Sequence, residues 1–222
     1  DDDWMVMWSQ SSLAADALSG LTGEQVVAEQ ELWYSIRTAG AWSAPAQLTA
    51  DGVCDDSPSL VRKSDGPVIA AWRRMAGTDV SDRSLSDIAY ATWDGSSWSG
   101  IGTLADSSSR LGQISLAALP DDNIAATWTA DASDTGEDVT VWGALFDGIA
   151  WSPASEITDG TGAVRTWSGL GALSDGSAIA TWTEEDETGV ALWYARGSDG
   201  GSGWQWSEPM AATEPLAVLS DP

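Results

Sequence analysis

Apolar and polar positions alternate in short runs along this chain, punctuated by Gly, Asp and Ser, and that period of two marks half-buried β-strands. The runs recur. WMVMW, PVIAAW, NIAATW and SAIATW end at Trp8, Trp72, Trp128 and Trp182, and three of these tryptophans follow an aspartate seven residues earlier, at Asp65, Asp121 and Asp175. A second series, Trp42, Trp98, Trp151 and Trp206, carries Ser after each tryptophan and has aromatic residues upstream at Tyr34, Tyr90, Trp142 and Tyr194. Spacing within each series is about 55 residues, apart from a longer first interval between Trp8 and Trp72.

Each unit divides into four strands, exemplified by SPSLV, PVIAAW, DIAYATW and SSWSGIGTL. Asp94-Gly95 and Asp147-Gly148 are two-residue turn signals between the third and fourth strands. Four antiparallel strands in a repeat of this length predict a β-propeller blade. Innermost strands are expected over 57–62, 112–119, 167–173 and 214–219, and outermost strands over 41–48, 97–104, 150–157 and 204–210. The chain opens in a second-strand run at Trp4 and closes in EPLAVLSD, Glu214 to Asp221, which is similar to SPSLV. The expected fold is therefore all-β, a single propeller domain over 1–222 with four blades of four antiparallel strands. Its closure comes from the C-terminal strand pairing with the N-terminal strands, which removes an open edge. Alternatives are half of an eight-bladed ring made by two copies, or part of a longer propeller, so a monomer or a homodimer. Residues 11–30 form an insertion in the first blade, in which Thr22 and Gln25 predict a capping box and a short helix over 23–30.

Charge and composition narrow the chemistry. The 34 acidic residues against 9 basic ones give a formal charge of −25, and Lys63 is the one lysine. Nucleic acid is excluded as a partner, because phosphate binding needs clustered Lys and Arg. No histidine is present, so the commonest general base and transition-metal ligand are both missing. Cys54 is the sole cysteine, which leaves a semi-buried thiol or an intermolecular disulfide. No apolar run reaches the roughly 18 residues of a membrane span. The chain starts at Asp1 without a methionine and reads as a mature or excised segment of a secreted, extracellular protein.

Tryptophan and acidic loops supply the candidate sites. Of 15 tryptophans, those of the repeat series and Trp142 are expected in the core between blades. Trp4, Trp33, Trp93, Trp167, Trp193 and Trp204 do not recur in every blade, and the first five are candidates for stacking on a glycan. Trp167 opens an innermost strand where other blades have Ser57 or Gln113, near the channel mouth. Asp131, Asp134, Glu137 and Asp138 lie in the loop DASDTGED, and EEDETG carries another acidic run. The fold brings these loops to one face with Asp51, Asp55 and Asp56, where calcium finds oxygen ligands. No EF-hand loop is present, and neither a phosphate-binding glycine loop nor a nucleophile elbow occurs.

The hairpins TWDGSSW, LFDGIAW and SIRTAGAW resemble the Asp-box repeats of sialidase-type propellers, with the aspartate and glycine adjacent where that family has a residue between. In that family the box is structural. The resemblance implies a propeller and, for activity, an arginine triad, a tyrosine nucleophile backed by Glu and an Asp acid/base. Arg37, Arg62, Arg73, Arg74, Arg83, Arg110, Arg165 and Arg196 yield no three at equivalent axial positions, and Tyr34, Tyr90 and Tyr194 sit at a repeated position that suits packing. The reading these residues support is a secreted, non-enzymatic binding module for a glycan or a protein. The alternatives are a sialidase-like glycoside hydrolase and a structural subunit of an extracellular complex.

Overall fold

A computed structural model describes residues 3–14, 16–17, 19–64, 66–75, 86–106, 109–133, 136, 138–159, 164–186, 189–201 and 203–215, and for 24, 167 and 168 the backbone alone. The chain is all-β apart from one six-residue helix, α1 (Gly23–Ala28). That helix starts at the expected capping box: the Thr22 hydroxyl accepts from the Gln25 N–H, and the Gln25 side chain accepts from the Thr22 N–H. Among the described residues no helix is long and apolar enough to cross a membrane.

Strands fall into four antiparallel sheets in sequence order. The first holds β1 (Trp4–Ser11), β2 (Gln30–Thr38), β3 (Ala41–Trp42) and β4 (Ala46–Gln47). The second holds β5 (Asp55–Arg62), β6 (Val68–Met75), β7 (Ser86–Trp93) and β8 (Gly102–Ala105). The third holds β9 (Arg110–Leu111), β10 (Ser115–Ala118), β11 (Ile124–Asp131), β12 (Val139–Phe146) and β13 (Ser155–Glu156). The fourth holds β14 (Val164–Ala172), β15 (Ala178–Asp186), β16 (Gly189–Asp199), β17 (Trp204–Trp206) and β18 (Met210–Ala211). The second, third and fourth sheets thus carry an innermost strand, two middle strands and an outermost strand. In the first sheet β3 and β4 together make the outermost strand, and the strand expected to complete the blade on its inner side, 214–219, falls largely on residues 216–222, outside the described ones.

The Trp-Ser repeat has a plain physical cause. Each outermost strand breaks after its tryptophan, and the following serine bridges the break. Ser43, Ser99, Ser152 and Ser207 accept the backbone N–H of Ile36, Thr92, Leu145 and Arg196 at 3.0 or 3.1 Å. Each hydroxyl then donates to the next carbonyl, of Ala44, Gly100, Pro153 or Glu208. The Asp-Gly turns are closed in the same economical way. Asp94 accepts from the Ser96 and Ser97 N–H groups at 2.7 and 2.8 Å, and Asp147 accepts from Ile149 and Ala150 at 2.8 Å. Gly95 and Gly148 have φ of 103° and 95°, a left-handed conformation that a Cβ would strain.

Neighbouring sheets bury one face each against the other. Leu32 and Met7 of the first sheet meet Ala70, Trp72 and Ala89 of the second. Ala71 and Ile88 meet Leu111, Ala126 and Trp128 of the third, and Val141 and Ile157 meet Ala180 and Trp182 of the fourth. Second-strand tryptophans Trp72, Trp128 and Trp182 are accordingly buried. Aromatic pairs lock the same junctions from outside. Tyr34 sits edge-on to Trp98 at 5.6 Å and 79°, and Tyr90 to Trp151 at 5.9 Å and 76°.

Strand register corrects one expected equivalence. Tyr34, Tyr90 and Tyr194 stand opposite Met7, Ala71 and Thr181, but the residue opposite Thr127 is Gly143. Trp142 faces Trp128 and belongs to the opposite side of its sheet. One residue of offset turns a side chain to the other face. Gly143 leaves the space that the Trp206 indole fills: a Cβ built there would lie 2.6 Å from that ring. Replacing Gly143 by Ala is therefore expected to lower stability by about 1–3 kcal/mol through overpacking. A urea midpoint unchanged from wild type would mean that Trp206 has room to shift.

Candidate functional site

All three described innermost strands carry an extra residue at one level. Between Asp56 and Ser59, Leu111 and Ser115, and Thr166 and Gly169, the inner strand uses one residue more than its partner. Bulges re-aim side chains and cluster at barrel rims and beside sites. Ser57, Gln113 and Trp167 occupy these three bulges, as their alignment in the sequence predicts. Ser57 has φ of 55°, the left-handed region. The Trp167 side chain lies outside the described ones.

A groove of about 540 Å³ lies at the hairpin end of the first and second sheets. Trp4, Met5, Ile36 and Trp42 line it from the first sheet, and Arg62, Val68 and Trp93 from the second. Trp4 is 63% exposed and Trp42 51%. Both belong to the face of the first sheet that no described sheet covers. The residues at the Trp4 position in later sheets, Val68, Ile124 and Ala178, are buried. Val6, 42% exposed, corresponds in the same way to the buried Ala70, Ala126 and Ala180. Trp93 is held by Tyr34 at 5.8 Å and Trp98 at 5.5 Å. Two open indoles with Arg62, Thr38 and Ser43 nearby suit the apolar faces and hydroxyls of a sugar. Among the described residues that line it, Asp3 is the one carboxylate.

The remaining candidate tryptophans are packed. Trp33 is half-buried opposite Trp8, and Trp193 is half-buried in the junction with the third sheet beside Trp182 and Trp206. Trp204 stands edge-on to Trp206 at 5.7 Å. Structure thus brings Trp4 and Trp93 together and leaves Trp33 and Trp193 elsewhere. Trp42, expected in the core, is 51% exposed, because among the described residues no neighbouring sheet lies over it.

In the acidic loop Asp131 is buried and closes its own turn, accepting from the Ser133 N–H and hydroxyl and from the Gly136 N–H at 2.7 Å. Asp138, whose carbonyl accepts the Ala132 N–H at 3.3 Å, lines a cavity of about 440 Å³ between the second and third sheets, where Glu156 also lines the wall. Asp134 and Glu137 lie outside the described residues.

Arginines on the loop side hold sheets together. Arg73 bonds Asp56 at 2.8 Å and the Leu111 carbonyl at 3.1 Å, reaching from the second sheet to the third. Arg165, also buried, bonds Glu184 and the Val139 and Asp159 carbonyls, each at 2.9 Å. Arg74 reaches Asp51 and Asp55. At the opposite, hairpin end Arg196 reaches Asp175 and Ser177 within its own sheet. These four arginines are thus engaged by carboxylates, and Tyr34 and Tyr90 stand in inter-sheet stacks.

No family of known proteins matches the sequence, and no curated sequence does. Solved structures do match in fold. A protein of unknown function from Dyadobacter fermentans superposes with a TM-score of 0.65 at 12% identity, over 93% of this chain and 65% of its own. An α-L-arabinanase of Penicillium chrysogenum in complex with arabinobiose gives 0.59 at 17% identity, over 92% and 63%. A leech intramolecular trans-sialidase in complex with 2,7-anhydro-Neu5Ac gives 0.51 at 12% identity, over 84% and 30%. The chain thus spans just under two thirds of the first two. These likenesses establish a propeller-type all-β fold of the kind found in glycoside hydrolases.

Asp55 titrates unusually. Burial, partly offset by Arg74 and by the Trp72 indole bond at 2.7 Å, raises its pKa to about 6. Turn hydrogen bonds from Ser97 and Ser96 lower that of Asp94 to about 2. The signs are opposite. Asp55 contributes stability below the ordinary carboxylate range and loses it as pH rises through about 6. Asp94 contributes above that range and loses its share as pH falls through about 2. In metal-free buffer the melting midpoint is expected to rise by a few degrees from about pH 7 to pH 4.5, and D55N to flatten that rise. A slope equal in both proteins would remove Asp55 as its source.

Proposed function

We propose that this chain is a carbohydrate-active propeller module that takes a glycan in the groove between its first two sheets. The observation that carries this reading is the pair of open indoles, Trp4 and Trp42, beside Trp93 and Arg62 in one groove. Two fold neighbours act in the same chemical world: one is an arabinanase in complex with arabinobiose, the other a trans-sialidase in complex with a sialic acid derivative. That company favours an activity on glycosidic bonds over passive binding, the reverse of the preference drawn from the sequence. The acidic composition, from which an extracellular setting is expected, is compatible with this proposal.

A second reading has its own observation. Trp4, Val6 and Trp42 occupy positions that later sheets bury against a neighbour, so the same face suits assembly with further propeller sheets. Closure of the ring onto the fourth sheet would cover it within one chain.

Titration with arabinobiose and sialyllactose, followed by tryptophan fluorescence and by release of reducing sugar, separates these readings. Binding or turnover is expected, and W4A should weaken it about tenfold, the scale of one lost aromatic platform. If W4A leaves glycan affinity unchanged but alters mass in solution, the face serves assembly. No response to any arabinose or sialic acid ligand would reject the carbohydrate reading.

A further inference from the structure

Glu31, Asp51 and Asp55 come from β2, the connection after β4 and the start of β5, yet they offer carboxylate oxygens within 4.8 Å of one another. Two are deeply placed, Glu31 with 2% exposure and Asp55 with none. Glu31 Oε1 accepts the N–H groups of Asp51 and Gly52 at 3.1 and 2.8 Å. Its other oxygen, Oε2, is buried without a hydrogen-bond partner. A buried carboxylate oxygen left bare carries the full cost of losing its water.

Arg74 answers only part of this charge. Its guanidinium bonds Asp51 and reaches Asp55 Oδ2 at 3.4 Å, with no bond to Glu31. Asp51 Oδ1 also accepts the Val53 N–H at 3.2 Å, and Asp55 Oδ1 accepts the Trp72 indole N–H at 2.7 Å. Three carboxylates therefore face one cation across the junction of two sheets. A divalent ion beside Arg74 brings the group to neutrality.

We propose that Glu31, Asp51 and Asp55 hold one calcium ion, which fastens the connection between the first and second sheets. All the ligands are hard oxygens, as calcium prefers. Calcium–oxygen distances of about 2.3–2.6 Å allow ligand atoms to stand up to about 5 Å apart, which fits the observed spread; magnesium, at about 2.1 Å, draws its ligands closer. Asp51 is solvent-exposed, so water has access to complete the shell. The ion would brace a small cluster next to it in the chain, where Cys54 and Met75 meet Val27 and Ala28 of α1. This site differs from the acidic loop, where Asp131 already spends its oxygens on its own turn.

Terbium titrated into the whole, chelator-stripped protein tests the assignment, because the Trp72 indole touches Asp55 and can sensitise a lanthanide bound there. One tight equivalent of indole-excited emission is expected, displaced by calcium. E31Q and D51N should each weaken terbium binding about tenfold or more by removing one ligand charge. Calcium at 100 times its Kd should raise the wild-type melting midpoint by about 5–10 °C. E31Q retains an oxygen for the Asp51 and Gly52 N–H groups, and D51N alters an exposed side chain, so circular dichroism is expected to show both variants folded. Equal emission from wild type and both variants would move the ion to another acidic loop and overturn the proposal. So would the absence of sensitised emission, or of any calcium-dependent shift, in wild type.

Discussion

A four-stranded antiparallel sheet has two faces, and in this chain each face must be covered by a neighbouring sheet. Everything else follows from that requirement. Trp72, Trp128 and Trp182 supply the bulk that fills the gap between successive sheets, each beside a small alanine on the same face, Ala70, Ala126 or Ala180. Large beside small makes a relief into which the facing sheet interdigitates at native density. Peripheral aromatic pairs then complete the junction, and where Trp206 swings inward the tyrosine position shrinks to Gly143. Volume, more than residue type, is the property kept from one junction to the next.

The repeat was readable because its causes are local. Serine after each outer tryptophan, and aspartate before each turn glycine, satisfy backbone donors within a few residues, so they recur wherever a blade recurs. Ser57, Gln113 and Trp167 were aligned correctly, but as the openings of their strands: β5 and β14 start earlier, at Asp55 and Val164, and the register shifts that set Ser57 and Trp167 in bulges are not visible in the pattern. Trp142 was misplaced because it lies one residue from the aromatic series, and proximity in sequence does not reveal which face a side chain takes.

Site chemistry was less legible, and for a physical reason. Openness depends on what covers a residue, which is a long-range property. Trp42 is followed by serine like Trp98 and Trp151, yet it is open because among the described residues no neighbour stacks on it as Tyr34 and Tyr90 do on those two. Glu31 likewise looks like any strand glutamate until the connection carrying Asp51 folds over it. In the acid-rich loop the one buried carboxylate, Asp131, turns to backbone N–H groups, a contact that composition does not reveal. The groove residues proposed to meet a glycan are those the repeat fails to bury.

Unequal coverage of the sheets has a thermodynamic corollary. The second and third sheets each have two neighbours, whereas among the described residues the first lacks cover for Trp4 and Val6 and the fourth leaves Leu192 open. When stability is a sum of nearest-neighbour interfaces, such an array loosens from its ends inward. The molecule then behaves less as a single cooperative block than as a short stack, with opening free energy graded from rim sheets to central ones. A groove at the first junction therefore lies where the structure yields most readily, so a ligand seated there would be coupled to the ordering of the outermost sheet.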